Sequence, residues 1–319
     1  MKILFVTGTR IGDAILSTGV LAHLVARYPS ARFTVACGPL AAPLFAAVPR
    51  LDAVIHMAKR KGGGHWFDLW RHAVLSPWSL VVDLRGSVLS YLVLARARRV
   101  KTAKADGRHV VEQLAAAARL AEVPAPRLWT SPEHWAAAER LVPPGPPVLA
   151  LGPLANWRGK EWPLDRFAEL ARRLVGATGP LAGGRVAILG APEDKARAAA
   201  LFAALPSGRT IDLMGGIDLL VAHECLRRAT LFVGNDSGTM HLAAAAGVPT
   251  LGLFGPSKDQ HYRPWGPHGA AARTPESFED LTTTPGYDHR TTGTLMGSLT
   301  IEAVETAARA LLARVKVAA

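Results

Sequence analysis

Two rounds of alternating strand and helix patterns constrain the fold of this chain more than any other feature. In the first round, the apolar runs Lys2–Thr7 and Arg32–Cys37 flank a segment of helical spacing at Asp13–Arg27. Such alternation is typical of parallel sheets with helices on both faces. A second round runs from Val148–Gly152 to Thr250–Phe254. The sequence therefore predicts an α/β fold with two doubly wound sheets.

The same periodicities predict the remaining elements. We expect further strands at Ala53–Met57, Leu80–Leu84, Arg185–Leu189 and Leu231–Gly234. Helices are expected at Pro39–Ala47, Val88–Ala97, Val110–Ala121, His134–Leu141, Leu164–Val175, Glu193–Ala204, Ile217–Arg228, Met240–Ala246 and Thr300–Val315. The segment Pro256–Gly297 is rich in Gly, Pro, Thr and His, and it is predicted to form loops.

The length and a proline-rich stretch predict two domains. A chain of 319 residues is long for one core and suits two domains of about 150 residues each. Prolines crowd between Pro124 and Pro147, which makes this stretch the best linker candidate. We therefore place one domain at residues 1–145 and the other at residues 146–319.

The chain carries a formal net charge of +12, which points to a polyanionic partner. Nucleic acid, an anionic membrane surface and a phosphorylated substrate are the candidates, and a solvated basic surface from a compositional bias is the alternative. No nucleic-acid recognition motif is present, so no nucleic-acid partner is expected. The two cysteines have no metal-ligand spacing, and no apolar run approaches the roughly 20 residues of a membrane span. We expect a cytoplasmic protein with both thiols in its cores and with no bound metal.

The first candidate site follows the first strand, at Thr7-Gly-Thr-Arg-Ile-Gly-Asp-Ala14. Gly8 and Gly12 permit a tight turn and a close backbone approach. Asp13 falls near the start of the next helix, where it can act chemically or can cap the helix N-terminus.

The second candidate site is the loop Gly152–Pro163, which follows the first strand of the second round. Lys160 lies just before a predicted helix, where its ammonium can reach a diphosphate as a point charge. An ordinary solvated lysine is the alternative. Trp157 and Trp162 either shape a pocket or hold the loop in place.

The third candidate site is Gly234-Asn-Asp-Ser-Gly-Thr-Met-His-Leu242, between a strand and a helix. Free N–H groups at a helix N-terminus bind anions, and small residues let a pyrophosphate come close. The alternative is a helix that Asp236 or Ser237 merely caps. His241 lies one turn inside this helix and is expected at the mouth of the same pocket.

Several common motifs are missing from the sequence. It contains no D-x-D pair, no Walker A sequence, no G-x-G-x-x-G after the first strand and no G-x-S-x-G. The sequence therefore does not favour a P-loop hydrolase, a classical NAD enzyme or an α/β-hydrolase.

At these residues the chain resembles glycosyltransferase family 9, the ADP-heptose:lipopolysaccharide heptosyltransferase family. The matching segments are Arg10-Ile-Gly-Asp13, Asp83-Leu-Arg-Gly86, and Gly234-Asn-Asp-Ser-Gly-Thr-Met-His241, which continues to Gly247-Val-Pro249 and Leu253-Phe-Gly-Pro256. The resemblance implies a GT-B fold, with two facing Rossmann-like domains and a C-terminal helix. It also implies an acceptor-binding N-terminal domain, a nucleotide-sugar-binding C-terminal domain and inverting transfer.

The resemblance also implies roles for individual residues. Asp13 matches the position of the general base, and Lys160 matches the phosphate-binding lysine. The residues that match the donor site are Asn156, Glu193, Asp236, Ser237, Gly238, Thr239 and His241. The match of Glu193, which would bind the ribose, is loose. The residues expected to meet the acceptor are Arg10, Gly12, Lys59, Arg60 and Lys61.

The expected function is thus transfer of a sugar, as heptose from ADP-heptose, to a lipopolysaccharide core or a related glycan. The partners are then a nucleotide-sugar donor, an anionic glycolipid or glycan acceptor and the inner membrane as a peripheral contact, with no cofactor. Two features depart from the family: Ala155-Asn156 replaces a Thr or Ser, and Thr282–Thr294 replaces a Cys-containing segment. The alternatives are a GT-B epimerase or hydrolase, and a non-catalytic nucleotide-sugar-binding protein.

Overall fold

Apolar runs form the centres of two parallel sheets in a computed structural model of the protein, which describes residues 1–58, 64–102, 106–283, 287–288 and 291–318. The chain divides into two compact units, Met1–Ser131 and Pro132–Ala319. Each unit contains one sheet, and every strand pair within both sheets is parallel.

The first unit has the strand order β3-β2-β1-β4-β5. Its strands are β1 (Lys2–Val6), β2 (Arg32–Cys37), β3 (Leu51–His56), β4 (Trp78–Asp83) and β5 (Ala95–Val100). Its helices are α1 (Ile11–Arg27), α2 (Gly64–Ala73) and α3 (Val110–Ala117), and shorter 3₁₀ turns lie at Pro39–Phe45 and Val88–Tyr91. The central strand β1 is buried along Ile3–Val6, as expected for a strand covered on both faces.

The second unit has the strand order β11-β10-β9-β6-β7-β8. Its strands are β6 (Val148–Gly152), β7 (Arg185–Gly190), β8 (Thr210–Met214), β9 (Leu231–Asn235), β10 (Thr250–Phe254) and β11 (Gly269–Arg273). Its helices are α4 (Pro132–Leu141), α5 (Leu164–Val175), α6 (Ala199–Ala204), α7 (Leu219–Arg227), α8 (Gly238–Ala245), α9 (Asp259–Tyr262), α10 (Phe278–Thr282) and α11 (Ile301–Ala318). The 3₁₀ turns of this unit are Arg158–Lys160, Pro192–Ala198 and Ser207–Arg209.

Each sheet reverses its winding direction at one pair of central strands. The chain winds outward from β1 on one side and from β4 on the other, and likewise from β6 and from β9. In open α/β sheets ligands bind in the crevice beyond the carboxyl ends of such a pair. The loops after β1, β6 and β9, which carry the three candidate motifs, all begin at such positions.

Glycine allows β6 and β9 to end side by side. Gly152 and Gly234 are register partners at the carboxyl ends of the two strands. A Cβ atom on Gly152 would lie 2.8 Å from Thr239 Oγ1, and one on Gly234 would lie 2.8 Å from the carbonyl oxygen of Gly152. A larger residue at either position would therefore push the two loops apart.

The structure contains helix α2 and strand β8, which the sequence patterns did not predict, and it contradicts the predictions in two further segments. The helix predicted at Val88–Ala97 is wrong, because a 3₁₀ turn at Val88–Tyr91 leads into the edge strand β5. The predicted loop at Pro256–Gly297 is also wrong in part, because it contains β11 and two short helices. In both cases pairing with a neighbouring strand overrides a weak local pattern.

The two units divide after Ser131, and α4 therefore belongs to the second unit. Contacts with the α7 region hold α4 there: Arg228 Nε donates to the carbonyl oxygen of Val142 at 2.5 Å, and His134 Nε2 lies 3.9 Å from a carboxylate oxygen of Asp218. The helix predicted at His134–Leu141 within the proline-rich stretch is thus present as α4.

Both thiols lie in the cores, as predicted. Cys37 and Cys225 are buried and unoxidised, and desolvation raises the pKa of each to about 12. A neutral thiol is a poor nucleophile, so we expect both to be inert. In the described part of the chain, no helix is long and apolar enough to cross a membrane.

Candidate active site

The second unit gathers its candidate residues at the carboxyl ends of β6 and β9. The loop after β6 ends in a 3₁₀ turn that carries Lys160, and the loop after β9 begins at Asp236. Lys160 Nζ lies 2.5 Å from Asp236 Oδ2. The side chain of Asp236 is 6% exposed and that of Lys160 is 22% exposed. The ion pair therefore holds the ammonium of Lys160 on its buried side, and the other side of the ammonium is partly exposed to solvent.

The N-terminus of α8 lies beside this ion pair. Ser237 is the residue before the helix, and its hydroxyl lies 2.8 Å from Thr239 Oγ1 rather than capping the first turn. Asp236 contacts Lys160 instead. Within the described residues, neither side chain of the capping alternative therefore caps α8, and its first N–H groups are available to an anion. This arrangement favours the anion-site interpretation over the capped helix.

His241 lies in the second turn of α8 and is 5% exposed. Its Nε2 atom is 4.0 Å from Asp236 Oδ1, and its ring centroid is 6.5 Å from that of Tyr262. His241 therefore lies behind Asp236, where it can orient the carboxylate that holds Lys160.

Asn235 joins the two loops; it belongs to the third candidate motif, but no role was predicted for it. Its side chain is fully buried; Oδ1 accepts from the backbone N–H of Trp162 at 3.1 Å, and Nδ2 donates to the carbonyl oxygen of Pro153 at 2.7 Å. One amide thus fixes both ends of the loop that carries Lys160. The sequence signals were its place in this motif and its position as a polar residue at the end of an apolar strand.

Replacing Asn235 by alanine is expected to loosen the loop around Lys160. The substitution leaves a buried N–H on Trp162 and a buried carbonyl on Pro153 without partners, each costing about 1–3 kcal/mol. We expect a loss of roughly 2–6 kcal/mol in the free energy of unfolding, measured by urea denaturation. Asn235→Asp keeps the acceptor and loses the donor. Its free energy of unfolding should therefore lie between those of wild type and Asn235→Ala. Equal stability of Asn235→Ala and wild type would contradict this role.

The two tryptophans of the loop have different surroundings. Trp162 is buried, and its Nε1 donates to the carbonyl oxygen of Leu299 at 2.8 Å, so it holds the loop in place. Trp157 packs closely against Gly159, where a Cβ would lie 2.5 Å from the indole ring, and its ring makes a T-shaped contact with that of Tyr287. Bulk at position 159 would therefore displace this indole.

Asn156 and Glu193 are both exposed, on neighbouring strand ends. Asn156 shares the loop of Lys160, and Glu193 lies in the 3₁₀ turn Pro192–Ala198 after β7. Because β7 pairs with β6, both residues lie on the same edge of the sheet as the ion pair. Their roles toward a ribose or a sugar stay predictions.

In the first unit Asp13 is exposed and occupies the third position of α1. The residue before the helix is Arg10, so Asp13 is not the N-cap that the alternative reading required. A carboxylate in the first helical turn is stabilised by the positive end of the helix dipole. A Cβ on Gly8 would lie 2.5 Å from the Cβ of Asp13, so glycine there permits the close approach. Asp13 thus stands at the carboxyl end of β1, beside the point where the first sheet reverses.

The structure describes only some of the other residues that are predicted to contact the acceptor. Arg10 is exposed and Gly12 is half-buried at the start of α1. Lys59, Arg60 and Lys61 lie outside the described residues.

The motif that starts at Asp83 has a structural role. Its buried carboxylate accepts hydrogen bonds from the backbone N–H groups of Arg85, Gly86 and Ser87 and from the hydroxyl of Ser90 at 2.6 Å. Gly86 adopts a φ of 70°, a left-handed conformation that suits glycine. This network holds the turn after β4 beside the Asp13 loop.

The model of glycosyltransferase family 9 (heptosyltransferase) matches residues 73–282, about two thirds of the chain. The chain belongs to glycosyltransferase family 9. Lys160 and the loop Asp236–His241 lie inside the matched range, and Asp13 precedes it. As a member of this family, the protein is a glycosyltransferase.

Curated relatives agree with the family assignment. Lipooligosaccharide heptosyltransferase 2 of Haemophilus influenzae is 25% identical over 305 residues, which cover 83% of this chain and 86% of the relative. Lipopolysaccharide heptosyltransferase 2 of Salmonella typhimurium is 27% identical over 297 residues, which cover 81% of this chain and 83% of the relative.

Solved structures of family 9 share the fold. Escherichia coli ADP-heptose heptosyltransferase II has a TM-score of 0.74 at 22% identity, with 99% of this chain and 100% of that chain covered. A family 9 glycosyltransferase from Veillonella parvula has a TM-score of 0.78 at 20% identity, with 98% and 97% covered. The chain has the GT-B fold, with two Rossmann-like units, as the resemblance implied.

Proposed function

We propose that this family 9 enzyme is an inverting heptosyltransferase that uses ADP-heptose as donor and a lipopolysaccharide core or related glycan as acceptor. The observation that carries the proposal is the convergence of Lys160, Asp236 and the N-terminus of α8 on one strand switch point. The curated relatives are named lipopolysaccharide or lipooligosaccharide heptosyltransferases. An Escherichia coli heptosyltransferase of similar fold, with a TM-score of 0.72, is described with ADP.

The donor diphosphate binds at the end of β9. The N–H groups of Gly238 and Thr239 at the start of α8 meet the phosphate oxygens, and the hydroxyls of Ser237 and Thr239 add further donors. Lys160 contributes a positive charge from the opposite loop. Glu193 and Asn156, on the same sheet edge, contact the ribose and the sugar.

The same groups stabilise the leaving group during transfer. Negative charge develops on the diphosphate as the bond from the anomeric carbon to its oxygen breaks. Lys160 and the first turn of α8 are held in place before the reaction, so they meet that charge without reorganising. Asp236, with His241 behind it, keeps the ammonium in this position.

Asp13 acts as the general base in the first unit. It takes the proton of the acceptor hydroxyl as that oxygen attacks the anomeric carbon, so that a single displacement inverts the configuration. Its exposed carboxylate lies in the first turn of α1, where the positive end of the helix dipole interacts favourably with negative charge. Arg10, Gly12 and the basic segment 59–61 contact the anionic acceptor.

Calorimetric titration of ADP, GDP, UDP and CDP tests the donor site. We expect ADP to bind most tightly and Lys160→Ala to weaken its binding, because one cation is lost from the diphosphate. Lys2→Ala is a suitable control, since Lys2 lies at the opposite, amino end of a strand in the first unit. Preference for UDP, or ADP binding that Lys160→Ala leaves unchanged, would contradict the proposal.

A further inference from the structure

The connection between β4 and β5 exposes an unusual number of apolar side chains. Leu89 and Val93 point inward and join the core that covers this face of the first sheet. Four neighbouring apolar side chains are each more than half exposed, namely Val88, Tyr91, Leu92 and Leu94. We call these four residues the apolar ridge. The connection between β4 and β5 thus has one side that is buried in the core and one apolar side that faces solvent.

The apolar ridge continues onto helix α2. Trp70 Nε1 donates to the carbonyl oxygen of Leu92 at 3.2 Å, which ties the helix to the ridge. The ring of Phe67, 62% exposed, lies 5.7 Å from the ring of Trp70. Exposed apolar side chains grouped in this way favour an interaction site over scattered surface residues.

A cationic cavity of about 420 Å³ lies against the apolar ridge and shares Tyr91 with it. Among the described residues, four cationic side chains and one acid line the cavity, which gives these residues a net charge of +3. The cations are Arg98, Lys101, Arg108 and Arg119, and the acid is Asp106.

Most of this positive charge is not neutralised by protein carboxylates. Arg98 donates to the backbone carbonyl oxygens of Ser90, Val93 and Ala95, which fixes the ridge and leaves its charge in place. Among the described residues, no carboxylate contacts Arg98, Lys101 or Arg119.

Arg119 occupies a backbone position that favours glycine. It follows α3 with a φ of 53°, and the hydrogen bonds from Arg119 N to Ala116 O and from Leu120 N to Ala115 O form a Schellman end. A non-glycine residue in this conformation costs about 1 kcal/mol. The guanidinium of Arg119 lines the cavity despite this cost.

Charge selects the occupant of this surface. A second copy of the chain in a two-fold dimer would bring one +3 cavity toward another, which is repulsive. Nucleic acid would use the cations but not the exposed leucines. An anionic bilayer uses both, since phosphate groups pair with the cations while apolar side chains enter the acyl boundary.

We propose that the apolar ridge, Phe67 and the adjoining cationic cavity form a docking surface for an anionic phospholipid bilayer. The ridge inserts at the level of the headgroups, and the cavity receives lipid phosphates. Docking does not depend on the donor site, so it can fail while the proposed transfer stands, and the reverse also holds.

Flotation of the full-length protein with vesicles tests the docking surface. We expect binding to equal parts of phosphatidylglycerol and phosphatidylcholine, and none to phosphatidylcholine alone. Lys101→Ala with Arg119→Gly should weaken binding roughly twenty-five-fold, about five-fold for each lost charge. Leu92→Ser with Leu94→Ser should weaken it at least about ten-fold.

Matched variants separate docking from general charge or folding effects. Leu40→Ser removes an apolar side chain that is 72% exposed, against 69% for Leu94, and should leave binding unchanged. Arg140→Ala with Arg209→Ala removes two exposed charges from the second unit and should also have little effect. Arg119→Gly alone should keep or raise the unfolding temperature while it weakens vesicle binding.

Three results would overturn the proposal. The first is wild-type binding to anionic vesicles no tighter than to phosphatidylcholine. The second is an equal loss of binding in the control variants. The third is a concentration-dependent dimer that Leu92→Ser with Leu94→Ser abolishes, which would assign the ridge to a second copy of the chain.

Discussion

Replacing Asp13 by asparagine is expected to lower kcat by roughly 10²–10⁴-fold, the usual contribution of a general base. Asparagine keeps the size of the side chain at the third position of α1 but cannot accept the proton of the acceptor hydroxyl. ADP binding should be unchanged, because the proposed donor contacts all lie in the second unit. Initial rates of ADP release with acceptor present, together with calorimetric ADP affinity, measure the two effects.

The magnitude of the loss separates catalysis from helix stabilisation. If Asp13 served only the dipole of α1, its replacement would cost about 0.3–1 kcal/mol of stability and little activity. We therefore expect a small shift in the unfolding temperature beside a large loss of kcat. Asp13→Glu retains a carboxylate at a displaced position and should recover part of the rate. Turnover of Asp13→Asn within about three-fold of wild type would contradict the assignment of the base.

Replacing Lys160 by alanine is expected to lower kcat by roughly 10²–10³-fold, by analogy with the loss of one preorganised donor to a developing negative charge. The affinity for ADP should also fall, since the ground state carries the same diphosphate. Lys160→Arg keeps the charge but not the compact ammonium, so it should retain binding better than turnover. Steady-state kinetics at saturating acceptor and calorimetry give both quantities.

The ion pair with Asp236 offers a second explanation for such a loss, and a double variant excludes it. Lys160→Ala leaves a nearly buried carboxylate without its cation, which costs stability. Lys160→Ala with Asp236→Asn removes both charges and should recover that stability. If Lys160 contacts the diphosphate, the double variant stays inactive although it is stable. Recovery of turnover in the double variant would show that Lys160 serves only to neutralise Asp236.

The sequence predicts those parts of the fold in which local pattern and tertiary structure agree. The strands β2, β6 and β10 have their predicted bounds because each consists mainly of apolar or small residues that the sheet buries. Strand β11, Gly-Ala-Ala-Ala-Arg, has no such run and exists because β10 offers a parallel partner. Strand β5 carries three arginines, and its pairing with β4 decides its conformation.

The same limit applies to the candidate site. The loop Asp236–His241 was recognisable because its small polar residues stand between a strand and a helix. The ion pair between Lys160 and Asp236 joins residues that are 76 positions apart, and the bridging amide of Asn235 depends on two backbone groups from another loop. Contacts of this kind arise only from the sheet order, which local sequence patterns do not encode.

Nuclear magnetic resonance of the product formed from ADP-heptose and a lipopolysaccharide core acceptor tests the central claim most directly. We expect each acceptor to gain one heptose for each ADP released, with the anomeric configuration opposite to that of the donor. Retained configuration, or ADP release without sugar on the acceptor, would contradict it.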